Sequence, residues 1–345
     1  MTATINTNRN GVAVGIVGAG GMGFRHAMNI RDWGKGAYVA GVYDPDAERA
    51  GRVAAECGEV VQFDSAGALI EDERTDAVIV ASPDHTHVEF TLNCLDAGKP
   101  VLCEKPLATS ADSARRVVDA EVEIGRQLVT VGFMRRFDPA HLAVRESAGS
   151  GRIGTPWLYK GVHRNRSAPP ASPEEHFIHQ SAVHDIDAAR WLLGSEVERV
   201  YVRGARLDSS LDEAARDLIL IDLDFTSGAF AAIELHLSAR YGYEVAVELV
   251  GDSGSVATLP PDRHELWSEG QRSRSVPPDW LERFEEAYIG ELRHWITSVA
   301  ENGAGDAGAT PWDGFIALLV ADACVESLET GEPVDVTGPS MPALY

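Results

Sequence analysis

The sequence is poor in the features that mark secreted, membrane-bound and disulfide-bonded proteins. Its 345 residues include four cysteines (Cys57, Cys94, Cys103 and Cys324), which lie far apart and form no CxxC pair. We therefore expect buried, reduced thiols rather than a metal or redox site. No segment approaches the roughly 18 apolar residues that a membrane helix needs, and the polar residues 1–11 lack the apolar core of a signal peptide. These absences predict a cytoplasmic protein.

Positive charge is also scarce. Thirty lysines and arginines stand against 53 aspartates and glutamates, which gives a net charge of −23. Nucleic acids and anionic membrane surfaces bind basic patches, so neither is expected as a partner. A dinucleotide remains compatible with this charge, because a few backbone amides at a helix start can hold a pyrophosphate.

The first part of the chain alternates short apolar runs with amphipathic helical segments. Strands are predicted at 12–18, 38–44, 76–82, 100–105 and 127–133, and helices near 21–32, 46–56, 84–97 and 110–125. Continuous apolar strands that alternate with helices indicate a parallel sheet covered on both faces. The length of the chain favours two domains. We therefore predict an α/β Rossmann domain, with a doubly wound parallel sheet, over residues 1–136.

The rest of the chain has a different pattern. Ile219, Ile221, Leu223 and Phe225 alternate with polar or exposed positions, as expected for an antiparallel strand with one buried face. Two amphipathic helices follow, and their apolar stripes fit core packing. Residues 137–345 are therefore predicted to form an α+β domain with an open, mainly antiparallel sheet. The proline-rich loop 167–176 is of a kind that can border an active site.

A glycine-rich turn indicates a dinucleotide site. The segment GAGGMG follows the first strand and opens a helix, and its residues are Gly18, Ala19, Gly20, Gly21, Met22 and Gly23. Glycine permits a tight turn, a close approach of the backbone to a pyrophosphate, and tight helix–strand packing. Asp44 ends the next strand about 20 residues later, where a carboxylate binds the ribose 2′-hydroxyl and repels a 2′-phosphate. The pattern predicts NAD rather than NADP.

Five further segments, together with this turn, carry a family resemblance. They are SPDHTH (82–87), EKP (104–106), GFMRRFDP (132–139), HRN (163–165) and HDIDAARWLLG (184–194). In this order the chain resembles the glucose-fructose oxidoreductase/inositol dehydrogenase/MocA family, and within it the inositol 2-dehydrogenases. The resemblance runs from about residue 12 to about residue 335. It implies NAD-dependent oxidation of a ring secondary alcohol of a cyclitol or sugar, with myo-inositol as the leading example, and the reverse reduction is equally allowed.

The resemblance also implies the catalytic residues. Lys105 of the EKP motif should approach the reacting hydroxyl and stabilise its alkoxide character, while Glu104 and Pro106 fix its backbone. His184 matches the family's proton acceptor, a role that suits an imidazole near neutral pH.

One position departs from the family pattern. The residue four before His184, on the same helical face, is usually an aspartate that orients the imidazole, but here it is Gln180. Glutamine can accept a hydrogen bond but carries no charge, so His184 should be a weaker base. Three interpretations stay open. In the first, the enzyme works with Lys105 and His184 alone, on either the usual or a different substrate. In the second, Asp187 or His179 takes the place of the missing aspartate. In the third, the protein has lost its activity.

Further site residues follow from the same resemblance. The substrate side is expected to include Met134, His163, Asn165 and Tyr243 in addition to Lys105, Gln180 and His184. The cofactor side is expected to include Ser82, Pro83, His87, Glu104 and Arg135 in addition to the glycine turn and Asp44.

A catalytic metal is not expected, because residues one or two apart on a helix do not face the same way. Open sheets pair between subunits in this family, so a homo-oligomer is expected, with a tetramer favoured.

Two alternatives remain beside the leading function. The enzyme could act on another sugar, a glycoside or scyllo-inositol, as Gln180 and the loop 167–179 suggest. The chain could instead be a non-catalytic, NAD-binding regulator, because it lacks the usual aspartate. Turnover of any polyol that Lys105→Ala abolishes would exclude the regulator.

Overall fold

The computed structural model describes residues 11–167, 177–212, 215–258, 266–268, 271–273, 275–303 and 308–345. The predicted loop at 167–176 therefore lies, except for its first residue, outside the described residues. The chain divides into two compact units. Unit 1 comprises residues 1–133, 288–315 and 340–345, and unit 2 comprises residues 134–287 and 316–339.

The secondary structure alternates regularly in the first part of the chain and is rich in strands later. The strands are β1 (Val12–Val17), β2 (Ala37–Tyr43), β3 (Val61–Gln62), β4 (Ala77–Val80), β5 (Val101–Glu104), β6 (Val129–Gly132), β7 (Pro156–Arg164), β8 (Val197–Ala205), β9 (Leu218–Phe225), β10 (Phe230–His236), β11 (Glu244–Gly251), β12 (Ser255–Ala257), β13 (Leu266–Ser268), β14 (Gln271–Ser273) and β15 (Val334–Asp335). The α-helices are α1 (Gly21–Trp33), α2 (Ala47–Cys57), α3 (Ala66–Glu71), α4 (His87–Asp96), α5 (Ala111–Ile124), α6 (Pro139–Gly149), α7 (Val183–Leu193), α8 (Trp280–Arg283), α9 (Glu285–Asn302) and α10 (Pro311–Thr330).

Unit 1 contains a six-stranded sheet in the order β3-β2-β1-β4-β5-β6, and every described pair is parallel. Strands β1, β4, β5 and β6 are buried along their length, as expected where helices cover both faces of a sheet. Local sequence starts the helices: Asp46, Ser65 and Ser110 each accept a backbone hydrogen bond at a helix N-terminus. The doubly wound parallel sheet predicted from the sequence is confirmed.

Helix α9 contributes to the core of unit 1. Its Leu292 and Trp295 belong to the same buried cluster as Val14 and Ile16 of β1. This helix lies within residues 137–345, the range predicted from the sequence as the second domain. An apolar stripe predicts that a helix will be buried, but it does not indicate which elements will cover it.

Unit 2 contains a seven-stranded sheet in the order β12-β11-β7-β10-β9-β8-β15. Strands β7 and β10 run parallel, and the other pairs are antiparallel. The predicted alternation is present: Ile219 and Ile221 are fully buried, whereas Leu220 between them is 38% exposed. The open, mainly antiparallel sheet is thus confirmed, and the parallel pair is a finding that period-two alternation does not predict.

All four cysteines are unbonded, with Cys57 half-buried and the other three buried. In the part of the chain that the structure describes, we find no helix with the length and apolar character that crossing a membrane requires.

Candidate active site

The glycine turn has the geometry of a dinucleotide cradle. Gly18 has a φ of +92°, and a Cβ on it would lie 2.6 Å from the backbone of Ser82. A Cβ on Gly23 would lie 1.8 Å from the carbonyl oxygen of Gly18. Both positions therefore require glycine. A Cβ on Gly20 or Gly21, by contrast, would have no described atom within 4 Å, which leaves the backbone there open to a ligand.

The start of α1 is equally suited to an anion. Gly20 is the N-cap, so among the described residues no side chain caps the helix. The first amides of a helix carry partial positive charge and bind phosphate when no side chain occupies them. Met22 lies half-buried in this first turn. These residues fit the pyrophosphate of a dinucleotide.

Asp44 is held rigidly next to the turn. Its Oδ2 accepts a hydrogen bond of 2.7 Å from the amide of Ala19, and its Oδ1 accepts one of 2.8 Å from the amide of Asp46. The carboxylate thus has a defined orientation at the carboxyl end of β2. Its contact with a ribose hydroxyl stays a prediction.

Lys105 follows the last residue of β5 at the same edge of the parallel sheet, and its peptide bond to Pro106 is cis. The carboxylate of Glu104 links this segment to helix α1 through two hydrogen bonds. Its Oε1 accepts a 2.7 Å hydrogen bond from His26 Nε2, and its Oε2 accepts one of 3.3 Å from the amide of Lys105. Burial opposes ionisation of Glu104, but the hydrogen bond and charge of His26 and the charge of Lys105 hold the pKa of the carboxyl below its usual value. Glu104 therefore acts on Lys105 as an internal anion, and any contact with the cofactor stays a prediction.

The remaining cofactor-side residues of unit 1 cluster at this edge. Ser82 follows β4, Pro83 is exposed beside it, and His87 opens α4. The imidazole of His87 is 1% exposed and contacts the carbonyl oxygens of Ser82 and Pro106. The structure thus brings the glycine turn, Ser82, His87 and Lys105 together within unit 1.

His184 lies in unit 2, as the second residue of α7, and is 6% exposed. The preceding residues 178–182, which include Gln180, form a π-helical turn. Gln180 therefore precedes α7 in a π-helical turn, with i→i+5 bonding, and does not lie in a continuous α-helix with His184. Such turns occur frequently at functional sites. That Gln180 orients His184 stays a prediction.

A buried network in unit 2 joins several predicted residues. Arg135 Nη1 donates to Asp185 Oδ1 at 2.6 Å, and His163 Nδ1 lies 2.7 Å from Asp185 Oδ2. Tyr243 Oη lies 3.3 Å from His163 Nε2. Burial opposes ionisation of Asp185, but the charges of Arg135 and His163 lower its pKa to about 2. Arg135 is 1% exposed within this network, so the structure gives it an ion-pair role in unit 2; a contact with nicotinamide stays a prediction.

Sequence reasoning missed the role of Asp185. In the HDID segment (184–187), the sequence assigns roles to His184 and, as a substitute for the missing aspartate, to Asp187, but none to Asp185. Asp185 lies next to His184 in α7, a helix whose residues are nearly all buried, and it is itself fully buried. An isolated buried carboxylate is costly, so Asp185 needs a partner of opposite charge, which the sequence does not identify.

The two residues named as substitutes for the missing aspartate both have charged partners. Asp187 accepts two hydrogen bonds from the guanidinium of Arg136, at 2.6 and 3.0 Å. His179 Nε2 lies 2.7 Å from Asp322 Oδ1. Each side chain thus has a partner of opposite charge, and compensation by either residue stays a prediction.

Met134 and Asn165 occupy turns in unit 2. Met134 begins a 3₁₀ turn over 134–137 and is 2% exposed. Asn165 follows β7, where its amide donates to His236 O at 2.8 Å and its carbonyl oxygen accepts from the amide of Ala239 at 2.9 Å. Substrate contacts by these two residues, and by His163 and Tyr243, stay predictions.

Within the described ranges, no group of three or more His, Cys, Asp or Glu side chains is placed to hold a metal ion.

Comparison with known proteins agrees with this geometry. Residues 12–133 match the Gfo/Idh/MocA model described as an oxidoreductase family with an NAD-binding Rossmann fold, and residues 145–336 match the model of its C-terminal alpha/beta domain. The chain is 45% identical over 335 residues to the inositol 2-dehydrogenase of Rubrobacter xylanophilus, covering 97% of this chain and 96% of the relative. It is 44% identical over 333 residues to inositol 2-dehydrogenase 2 of Saccharopolyspora erythraea, covering 96% and 97%.

A solved structure extends the comparison to three dimensions. The myo-inositol dehydrogenase from Lactobacillus casei, crystallised in complex with NAD(H) and myo-inositol, superimposes with a TM-score of 0.91 at 31% identity, covering 97% of this chain and 99% of that one. The glycine cradle and the two matching family models lead to one conclusion: the chain belongs to the Gfo/Idh/MocA oxidoreductase family and has an NAD-binding Rossmann domain at its amino end.

Proposed function

We propose that this protein is an NAD-dependent dehydrogenase that oxidises a ring secondary alcohol of a cyclitol to the ketone, with myo-inositol as the first substrate to test. The observation that carries the proposal is the Glu104–Lys105–Pro106 segment at the carboxyl end of β5, beside an open glycine cradle. Ligands bind at this edge of open parallel sheets. The relatives named above, which are inositol dehydrogenases, support the cyclitol as the substrate class.

The two catalytic side chains have complementary roles in this proposal. Lys105 carries a positive charge that stabilises the developing alkoxide and orients the hydroxyl. His184 accepts the hydroxyl proton on its imidazole, which suits a base that works near neutral pH. Bound NAD supplies the hydride acceptor. In the reverse direction the same imidazole returns its proton to the ketone oxygen.

NADH formation by purified protein tests the proposal. The panel contains myo-inositol, scyllo-inositol, glucose, xylose and several glycosides. We expect turnover of myo-inositol, and Lys105→Ala should lower kcat by about 100-fold or more. The matched control is Lys35→Ala, at an exposed lysine of unit 1, which should leave kcat unchanged. A panel without turnover, by protein that still binds NAD, would contradict the proposal.

Asp44 supports the choice of NAD over NADP. A fixed carboxylate at the end of β2 repels a 2′-phosphate, so kcat/KM should favour NAD by more than about tenfold, or about 1.4 kcal/mol. Asp44→Ser should reduce that preference. Equal use of both cofactors by the wild-type protein would show that Asp44 does not contact the ribose.

Gln180 favours a second candidate, a dehydrogenase or reductase for another sugar, a glycoside or scyllo-inositol. An uncharged residue at this position does not stabilise an imidazolium at His184. If the leading proposal holds, Gln180→Asp should raise myo-inositol oxidation and shift its pH profile to higher pH, because the new carboxylate raises the pKa of the His184 base. Activity on another panel member alone would instead establish the second candidate.

The protein is further proposed to be a cytoplasmic homo-oligomer, with a tetramer favoured. The outward side of the sheet in unit 2 supports this, because it exposes Leu220 by 38% and Phe230 by 49%. Exposed apolar side chains on an open sheet face are surface that a second subunit would bury. Light scattering coupled to size-exclusion chromatography tests it, and a monomer at micromolar concentration would contradict it.

A further inference from the structure

His87 is buried at the carboxyl edge of the parallel sheet, between the ends of two neighbouring strands. It is the first residue of α4 and is 1% exposed. Its Nε2 lies 2.8 Å from the carbonyl oxygen of Ser82, just after β4. Its Nδ1 lies 2.7 Å from the carbonyl oxygen of Pro106, just after β5. Both ring nitrogens are therefore in hydrogen-bonding contact with backbone carbonyls.

These contacts define the protonation state of the ring. A carbonyl oxygen only accepts hydrogen bonds, so each ring nitrogen must donate. Neutral imidazole has one N–H, and either tautomer would point a lone pair at a carbonyl oxygen less than 3 Å away; the imidazolium has two. The geometry thus selects the cation.

The groups that face His87 are compatible with a buried cation. Cys103 of β5 lies beside the ring, and its Sγ is 3.4 Å from the carbonyl oxygen of Glu104. The carboxylate of Glu104 interacts with the charge of His87 as well as with His26 and Lys105. Burial lowers the pKa of His87, but Cys103 and the two carbonyl oxygens outweigh it and raise the pKa to about 9.

We propose that His87 is a positioning residue, an imidazolium that locks the Lys105–Pro106 segment to the Ser82 turn and thereby holds Lys105 in place. Its two hydrogen bonds join the ends of β4 and β5. The Ser82 backbone in turn packs against Gly18, where a Cβ would come within 2.6 Å, so the clamp also reaches the glycine turn. One side chain thus fixes three loops of the cofactor edge relative to one another. The consequence for catalysis rests on the proposed role of Lys105.

The protonation state is tested on the wild-type protein. In ¹⁵N-histidine-labelled protein at pH 8, where exposed histidines are neutral, both ring nitrogens of His87 should be protonated. Assignment comes from the loss of the signal in His87→Gln, or from through-bond backbone correlations if that variant does not fold. One unprotonated ring nitrogen at pH 8 would overturn the proposal.

The positioning role is tested with His87→Gln, which keeps a donor but loses the charge and one of the two bonds. We expect kcat to fall by about 10- to 100-fold, because a small misplacement of a catalytic group is costly. The dissociation constant for NADH should change less than about threefold. His85→Gln, at an exposed histidine in the same turn, is the matched control and should match the wild type. An unchanged kcat in His87→Gln would overturn the proposal.

Stability gives a second measurement. Because the folded-state pKa of His87 is raised, the charged form stabilises the fold fully below the unfolded-state value near 6.5, and this contribution is lost as pH rises through about 9. The gap in unfolding midpoint between the wild type and His87→Gln should therefore shrink over that range. Neither this readout nor the labelling needs turnover. Failure of the dehydrogenase proposal, seen as no activity on the panel, is thus distinguishable from failure of the clamp.

Discussion

The two units treat their buried charges differently. In unit 2 the buried charges are paired with one another: Arg135 and Asp185, each with a side chain 1% exposed, form an ion pair, and Asp138 binds both Arg283 and His141. In unit 1, Glu104 is paired with His26, but Glu291 of α9 is fully buried and neither of its carboxyl oxygens has a hydrogen-bond partner among the described residues.

The difference separates two uses of buried charge. Paired charges in well-packed surroundings keep their ordinary ionisation states and make a rigid scaffold, at the expense of desolvation. In unit 1, by contrast, two buried groups are displaced toward their protonated forms. Burial and the neighbouring Glu104 raise the pKa of Glu291 well above its usual value, while the pKa of His87 is raised to about 9. Such displaced groups concentrate at functional sites, and here they surround the segment that carries Lys105.

The largest expected effect comes from removing one partner of the unit 2 network. Asp185→Ala leaves the Arg135 guanidinium buried without its carboxylate, which should cost about 3–5 kcal/mol of unfolding free energy. Urea unfolding followed by circular dichroism measures it. Because the pKa of Asp185 is lowered to about 2, its contribution is present above the unfolded-state value near 4 and is lost as pH falls through about 2. A loss of unfolding free energy below about 1 kcal/mol at pH 7 would contradict the conclusion that the buried charges of unit 2 depend on their partners.

A smaller effect, of opposite sign, is expected in unit 1. Glu291→Gln replaces a carboxyl whose raised pKa favours its protonated form in the fold with a neutral group of similar shape, which should stabilise the protein at pH 8 because no proton has to be taken up on folding. A raised carboxyl pKa makes the wild type lose stability as pH rises above about 4.5, so the gain should vanish near that pH. Glu286→Gln, at an exposed position of the same helix, is the control. Destabilisation at pH 8 would show that the carboxyl is ionised and paired.

The smallest effect should come from a surface pair in unit 2. Arg203 and Asp222 lie 3.5 Å apart with half-exposed side chains. Exposed pairs contribute little because solvent screens them. Asp222→Asn should leave the thermal unfolding midpoint unchanged. A clear drop would show that burial is not what separates the strong pairs from the weak ones.

Several elements were predictable because their causes are local. The strands of unit 1 are continuous apolar runs, and those of unit 2 alternate, so each pattern predicts its sheet type. Gly18 and Gly23 are required by steric contacts within one strand–turn–helix unit. The family, the NAD-binding domain and the dehydrogenase chemistry follow from motifs of the same short range, and the comparisons agree with them.

The sequence by itself therefore determined the types of element, the glycine cradle and the family. Only the tertiary structure decided that α9 packs into the core of unit 1, that the turn before His184 is π-helical, and that Arg135 pairs with Asp185. The physical reason is that periodicity and steric limits act between near neighbours, whereas the partner of a buried stripe or charge is chosen among residues distant in the chain. His87 illustrates both cases. Its motif predicts from the sequence that it lies on the cofactor side of the site, but its proposed protonation follows from two carbonyl oxygens that only the fold brings together.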